Sequence, residues 1–288
     1  FSWLLIWFFS TYLNNTLSSN SINFIFFSSI FILFIGLSFG QKKDANHDLS
    51  CYDNGTLFGN DLENSLLGSI EVSVSEELEV GKAVYDEMVG QYTIRTSGVQ
   101  YDKVYSIMSR LMAQIIKFNN PTDHSNFGKY KSYYKIYVIE SDEINAFTAG
   151  ARIFITTGIY NFCKNDSELA CIIGHEISHN ELGHISKKIK RQKATSIFGG
   201  LGDLAYIVGS IMTTPFGQID EGHCDMFGMD LAKAVGFAPC NTVDLWERMA
   251  ENSGDKSFMD LFSSHPYSGD RAKCAENHLK ENYKLICH

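Results

Sequence analysis

A mainly helical α+β fold, with a small mixed or antiparallel sheet beside one long helix, is what the sequence predicts, and three observations carry it. Apolar residues recur every three or four positions over most of the chain from residue 75 onward. Strand-like runs, aromatic and β-branched, fall only between residues 133 and 157. A polar stretch rich in Gly, Asn and Asp, residues 41–70, separates this region from an apolar beginning. The organisation predicted is thus an apolar segment (1–40), a polar linker (41–70) and one folded domain (71–288).

Taken in order, Val80, Val84 and Met88 mark a helix over 75–90, and Val104, Ile107, Met108, Leu111 and Ile115 mark a second over 101–118, closed by Asn119-Asn120-Pro121. Strands are expected at 133–139, 145–147 and 152–157, with Gly150 at the turn between the last two. A long helix should follow from Asn165 to about Gln192. Asn165 caps it, Glu168 completes a capping pair, and Leu169, Ile172, Ile173 and Ile177 form its buried stripe. Residues 196–212 are apolar with four Gly and one Asp, too short for a membrane span, and read as a buried or interfacial helix. Further helices are expected at 220–235, 242–252 and 268–283, with Gly236, Pro239 and Pro266 as breakers.

The first forty residues hold no Lys, Arg, Asp or Glu. Ser38 and Gly40 are small residues where a signal peptidase reads, whereas Lys42 and Lys43 just beyond suit the cytoplasmic flank of an anchor. Signal peptide and membrane anchor are both expectations for 1–40, and either implies a secreted, periplasmic or membrane-associated protein. The net charge of -9 argues against nucleic acid as a partner, since such binding rests on clustered Lys and Arg. The one basic run, Lys187 to Lys193, is expected to be a solvated helix face. Of seven Cys, bridges are expected among Cys240, Cys274 and Cys287 if the chain is secreted.

Within the long helix stands His175-Glu176-Ile177-Ser178-His179. Random placement of 9 His and 16 Glu in 288 residues would produce His-Glu-x-x-His about 0.015 times. Residues four apart share a helix face, so His175 and His179 can offer two imidazole nitrogens to one tetrahedral Zn²⁺. Glu176, one step round, can act as a base on water without ligating. A catalytic zinc site needs a third protein ligand and one open position. A third His six residues beyond His179 is absent, because position 185 is Ile; Leu182 likewise stands where that pattern has Gly. A carboxylate from another helix is available instead: Glu221 can ligate, and Asp225, one turn later, can accept the free ring N–H of a ligand His.

His175-Glu176-x-x-His179 with His184 five residues on, Glu221-x-x-x-Asp225, the segment NAFTAGARIFITTGI (145–159) and the segment SSHPYSGDR (263–271) together resemble the gluzincin metallopeptidases, the family of HtpX, BepA and the CAAX prenyl endopeptidase. The resemblance runs over about residues 75–280 and is nearest to soluble or singly anchored members. It implies a zincin-like metallopeptidase domain with one Zn²⁺ per chain on His175, His179 and Glu221, Glu176 as general base, and Asp225 supporting a ligand. It implies that Asn145, Ala146 and Phe147 form an edge strand that pairs with an extended substrate. For His265 two roles are open: stabilising the oxyanion, or filling the open metal position in a resting state.

The expected activity is cleavage of extended or unfolded protein substrates, in envelope or secretory protein quality control. A zinc-bound, catalytically silent, chaperone-like binding protein is the rival expectation, and a membrane scaffold built on the apolar N-terminus is a third.

Overall fold

The computed structural model describes residues 67–119, 127–197, 204–252, 265 and 270–287. The expected signal or anchor, most of the linker, and the His-Pro segment apart from His265 and residues 270–271 lie outside the described residues.

Helix α1 (Val74–Gln91) opens on a capping box in which Ser73 and Glu76 satisfy each other's backbone N–H groups. A two-residue strand β1 (Ile94–Arg95), too short to show in the apolar pattern, precedes α2 (Val99–Gln114), which ends in a 3₁₀ turn over Ile115–Lys117. Strands β2 (Lys135–Ile139), β3 (Ala146–Ala149) and β4 (Arg152–Thr156) complete a four-stranded mixed sheet of order β1-β2-β4-β3, with only β2 and β4 parallel. Gly150 and Ala151, both at positive φ, make the two-residue turn joining β3 to β4. Alternation along the strands buries both faces of the sheet. Ile136, Val138, Ile153 and Ile155 enter one apolar cluster, while Tyr137, Ile139 and Phe154 enter another. β3 is an edge strand, bonded to β4 alone among the described residues.

After a short α3 (Thr157–Phe162) comes α4 (Asp166–Glu181), capped by Asn165, whose side-chain oxygen accepts from Ser167 and Glu168. The single helix expected to reach Gln192 is instead two. Gly183 adopts φ +79°, outside the helical range, and a separate helix α5 (His184–Ile197) follows it. The periodicity gave no sign of the break, because Ile185 and Ile189 continue an apolar stripe, now against the second cluster.

Helices α6 (Leu204–Thr213), α7 (Gln218–Ala234), α8 (Asn241–Glu251) and α9 (Asp270–Tyr283) follow. No described helix is long and apolar enough to cross a membrane. α4 and α7 cross at backbone contact: a Cβ added to Gly174 would lie 2.8 Å from the carbonyl oxygen of Gly228, and one added to Gly228 would lie 2.8 Å from the backbone nitrogen of His175. This crossing delivers the first turns of α7 to the His-bearing face of α4. Cys240 and Cys287 form a disulfide that ties the start of α8 to the segment after α9; Cys274 is also disulfide-bonded, and Cys163, Cys171 and Cys224 are free.

The basic run on α5 is not wholly solvated. Lys188 is 2% exposed, donates to the carbonyls of Ile211 (3.2 Å) and Thr214 (2.6 Å) at the end of α6, and sits 3.5 Å over the Phe216 ring. Its ammonium satisfies carbonyls that α6 leaves without intrahelical partners.

Candidate metal centre

His175 and His179 lie one turn apart on α4 with rings edge to face, both buried. Their Nε2 atoms are 3.0 Å apart. Glu221, in the first turn of α7, places Oε2 3.4 Å from His175 Nε2 and Oε1 3.3 Å from His179 Nε2. His265 adds Nδ1 at 3.3 Å from His175 Nε2 and 3.1 Å from Glu221 Oε1.

These distances test whether the residues suit a metal. Ligand atoms at zinc bonding distance on a tetrahedron lie roughly 3.3 Å from one another. With either one of the Glu221 oxygens taken as its corner, four of the tetrahedron's six edges measure 3.0 to 3.4 Å here. Burial without a cation would be costly for so many converging acceptors. Burial alone would lower the pKa of His175, yet Glu221 and Asp225 beside it hold it up at about 9. The field that retains a proton there is one that suits a dication. Burial pushes His179 well down, as a neutral ligand requires. Burial would raise Glu221, but His265, Arg271 and His175 pull it well below the usual carboxylate range, so it is an anion. The donor set fits Zn²⁺.

Around these four stands a supporting layer. Asp225 accepts from His175 Nδ1 at 2.9 Å, which puts the proton on Nδ1 and aims the Nε2 lone pair at the centre. Arg271, at the start of α9, donates Nε to Asp225 Oδ2 (2.7 Å) and Nη2 to Oδ1 (2.6 Å), and its Nη1 lies 3.2 Å from Glu221 Oε2. The guanidinium is stacked against Trp246, 3.8 Å from the ring centre. A trailing Arg is visible in the sequence, but its grip on Glu221 and Asp225 is not.

Glu176 faces the same centre without joining the donor set. Among the described residues its Oε2 is buried with no hydrogen-bond partner, and its Oε1 is 3.6 Å from His265 Nε2, which is likewise buried without a hydrogen bond. Burial pushes the Glu176 carboxyl above the usual range, against the pull of His265 and His175.

Asn145 stands immediately before β3, and Ala146 and Phe147 lie in it. Ala146 borders a small cavity with His175, Glu176 and Trp246, while Asn145 and Phe147 line a larger one of about 370 Å³ with Phe216, Lys188 and His265. Asn180 latches this edge strand to the metal helix: its Nδ2 donates to Thr148 Oγ1 (2.7 Å) and its Oδ1 accepts from Ala151 N (3.0 Å). Sequence reasoning missed Asn180, although its place directly after His179 was the available signal.

The chain is similar in sequence to known proteases and metalloendopeptidases. Over 222 residues the chain is 27% identical to the mitochondrial metalloendopeptidase OMA1 of Schizosaccharomyces pombe, covering 73% of this chain and 63% of that protein. It is 22% identical over 236 residues to the beta-barrel assembly-enhancing protease of Escherichia coli (75% and 46% covered) and 29% identical over 155 residues to the metalloprotease LoiP of the same organism (49% and 60%). The chain therefore spans less than two thirds of the length of each of these relatives. The model of Peptidase family M48 matches residues 109–279, more than half of the sequence and every helix that contributes to the donor set, and the chain belongs to that family.

Proposed function

We propose that this chain is a zinc-dependent endopeptidase acting on extended or unfolded protein segments. The observation that carries the reading is the buried tetrahedron of His175, His179, Glu221 and His265 with the partnerless carboxylate oxygen of Glu176 beside it. Zn²⁺ bound there would supply Lewis acidity toward the scissile carbonyl and the attacking water. Glu176 takes the proton from that water and delivers it to the leaving amine; its burial raises its basicity toward the range such work needs. Asp225 and Arg271 keep His175 and Glu221 in place. The free edge of β3, held by Asn180, offers main-chain groups to an extended chain, and Asn145, Ala146 and Phe147 are the residues alongside it.

His265 occupies the fourth corner, which a water would otherwise take. We read this as a closed resting form that opens when His265 withdraws. The same closure favours the second reading, a zinc-held but silent binding protein. The Cys240–Cys287 disulfide and the uncharged, apolar residues 1–40 support placement in a secretory or envelope compartment, where protein quality control is the role we assign, with membrane association through the N-terminus.

One assay separates these readings: cleavage of denatured casein by zinc-loaded wild type, Glu176→Gln and His265→Ala. Glu176→Gln should keep its zinc and lose at least about 100-fold in rate. Cleavage by Glu176→Gln at the wild-type rate would defeat the mechanism. Cleavage that rises in His265→Ala marks a self-closed enzyme, and none from wild type or His265→Ala, with zinc bound, marks the silent protein.

A further inference from the structure

His184 is not among the four converging donors, yet it is buried against one of them. Its Nδ1 lies 3.0 Å from His179 Nδ1, on the side of that ring away from the metal centre. On an unbroken helix, residues five apart point about 140° away from each other. The left-handed Gly183 between α4 and α5 removes that obstacle and turns His184 back onto the ring that it would otherwise miss. Two further groups face His184. Cys224 Sγ on α7 lies 3.4 Å from its Nδ1, and Asp220 Oδ1, at the residue before Glu221, lies 3.5 Å from its Nε2. Asp220 in turn has Lys187 at 3.7 Å.

The placement of protons follows from these contacts. Asp220 presents a carboxylate oxygen to Nε2, so the ring hydrogen of His184 is placed on Nε2, facing it. Nδ1 of His184 is then a lone pair. His179 Nδ1 must donate to it, and His179 Nε2 is left as a lone pair aimed at His175, Glu221 and His265. With the hydrogen on His184 Nδ1 instead, His179 would carry its own on Nε2 and could not ligate.

We propose that His184 is a positioning residue that fixes the tautomer and orientation of His179, with Asp220 setting its own proton; the inference rests on the metal-centre reading above. His175 would then be oriented by a carboxylate directly, and His179 by a carboxylate acting through a second imidazole. Neighbouring residues of α7 would serve the two sides of one ring, Glu221 at its metal side and Asp220 behind it. His179, His184 and Cys224 also converge closely enough to suggest a second metal. Hydrogen bonding already accounts for those atoms, and a cation there would require His179 to surrender its Nδ1 proton while ligating through Nε2.

The test is Zn²⁺ affinity, by competition with a chromogenic chelator, for the full chain and three variants, together with the visible spectrum of the Co²⁺-substituted proteins. In His184→Asn the amide oxygen stands where Nδ1 stood, so affinity should remain within about threefold, whereas His184→Leu should lose about 10- to 100-fold and shift the Co²⁺ bands. Asp220→Leu, which removes the acceptor facing Nε2, should also weaken binding, and it reports even if His184→Leu does not fold. Equal affinity and an identical Co²⁺ spectrum in wild type and His184→Leu would overturn the inference. So would His184→Asn binding as poorly as His184→Leu, unaltered affinity in Asp220→Leu, or two zinc ions per wild-type chain. Wild type that binds no zinc would instead overturn the reading of the centre itself.

Discussion

Glu176, Glu221 and Asp225 bring three carboxylates into one buried space, with Arg271 touching two of them. One guanidinium and a bound dication would together balance three carboxylates, and Arg271 belongs to this centre and not to the surface. Lys188 is a further buried cation nearby, and burial lowers it from its ordinary 10.5 to about 8 despite Glu221 and Glu176. Below pH 8 the folded and unfolded chains both carry its proton. Between about 8 and 10.5 the unfolded chain holds the proton that the folded one has lost, so stability should rise with pH across that window, by up to ~3 kcal/mol. Urea unfolding of wild type and Lys188→Met at pH 7.5 and 10 checks this: the rise should vanish in the variant, and parallel pH responses would contradict it. At this scale the sequence was uneven. His175, Glu176 and His179 were legible because helical spacing alone makes them neighbours. Glu221 and Asp225 were legible as a pair one turn apart. Lys188 was not, because a Lys in a basic run is ordinarily solvated and only α6 reveals the carbonyls that it serves.

Between elements, the decisive contact is the crossing of α4 and α7. Gly174 and Gly228 let the two backbones touch, and that approach keeps Glu221 within ligand distance of both imidazoles. Gly228→Val should force the helices apart, with overpacking costing about 1–3 kcal/mol and zinc content falling together with the melting temperature. Gly209→Ala is the matching control, since its Cβ would meet nothing within 4 Å. Full zinc occupancy in Gly228→Val would show that the crossing has slack. The partners in such a crossing cannot be read from one helix at a time, since Gly174 and Gly228 look like weak points until they are opposed. Gly183 was hidden for a related reason: apolar residues continue at Ile185 and Ile189, and only the positive φ at Gly183 divides α4 from α5. The two residues of β1 show no period at all; they join the sheet through their pairing with β2.

Across the described residues, the centre draws on α4, α7, α9 and the lone His265, so its geometry depends on how the C-terminal helix is held. Asp230 on α7 receives hydrogen bonds from His278 Nε2 and the Tyr283 hydroxyl, each at 2.7 Å, and the Cys240–Cys287 disulfide closes the chain just beyond. Those contacts pin α9, and α9 carries Arg271. The His-Glu-x-x-His and Glu221–Asp225 pairs were visible from local spacing and their joining into one ligand set was an expectation from the family resemblance, whereas this docking, between residues about fifty positions apart, showed in neither. A bound dication would join α4 to α7 and add stability by mass action, about 4 kcal/mol at a thousand times its Kd. The most direct test is the metal content of the purified chain, measured by elemental analysis beside Glu221→Ala. One zinc per wild-type chain, lost in the variant and removed by chelator with a drop in melting temperature, is the expected result; a metal-free wild type, or undiminished zinc in Glu221→Ala, would contradict it.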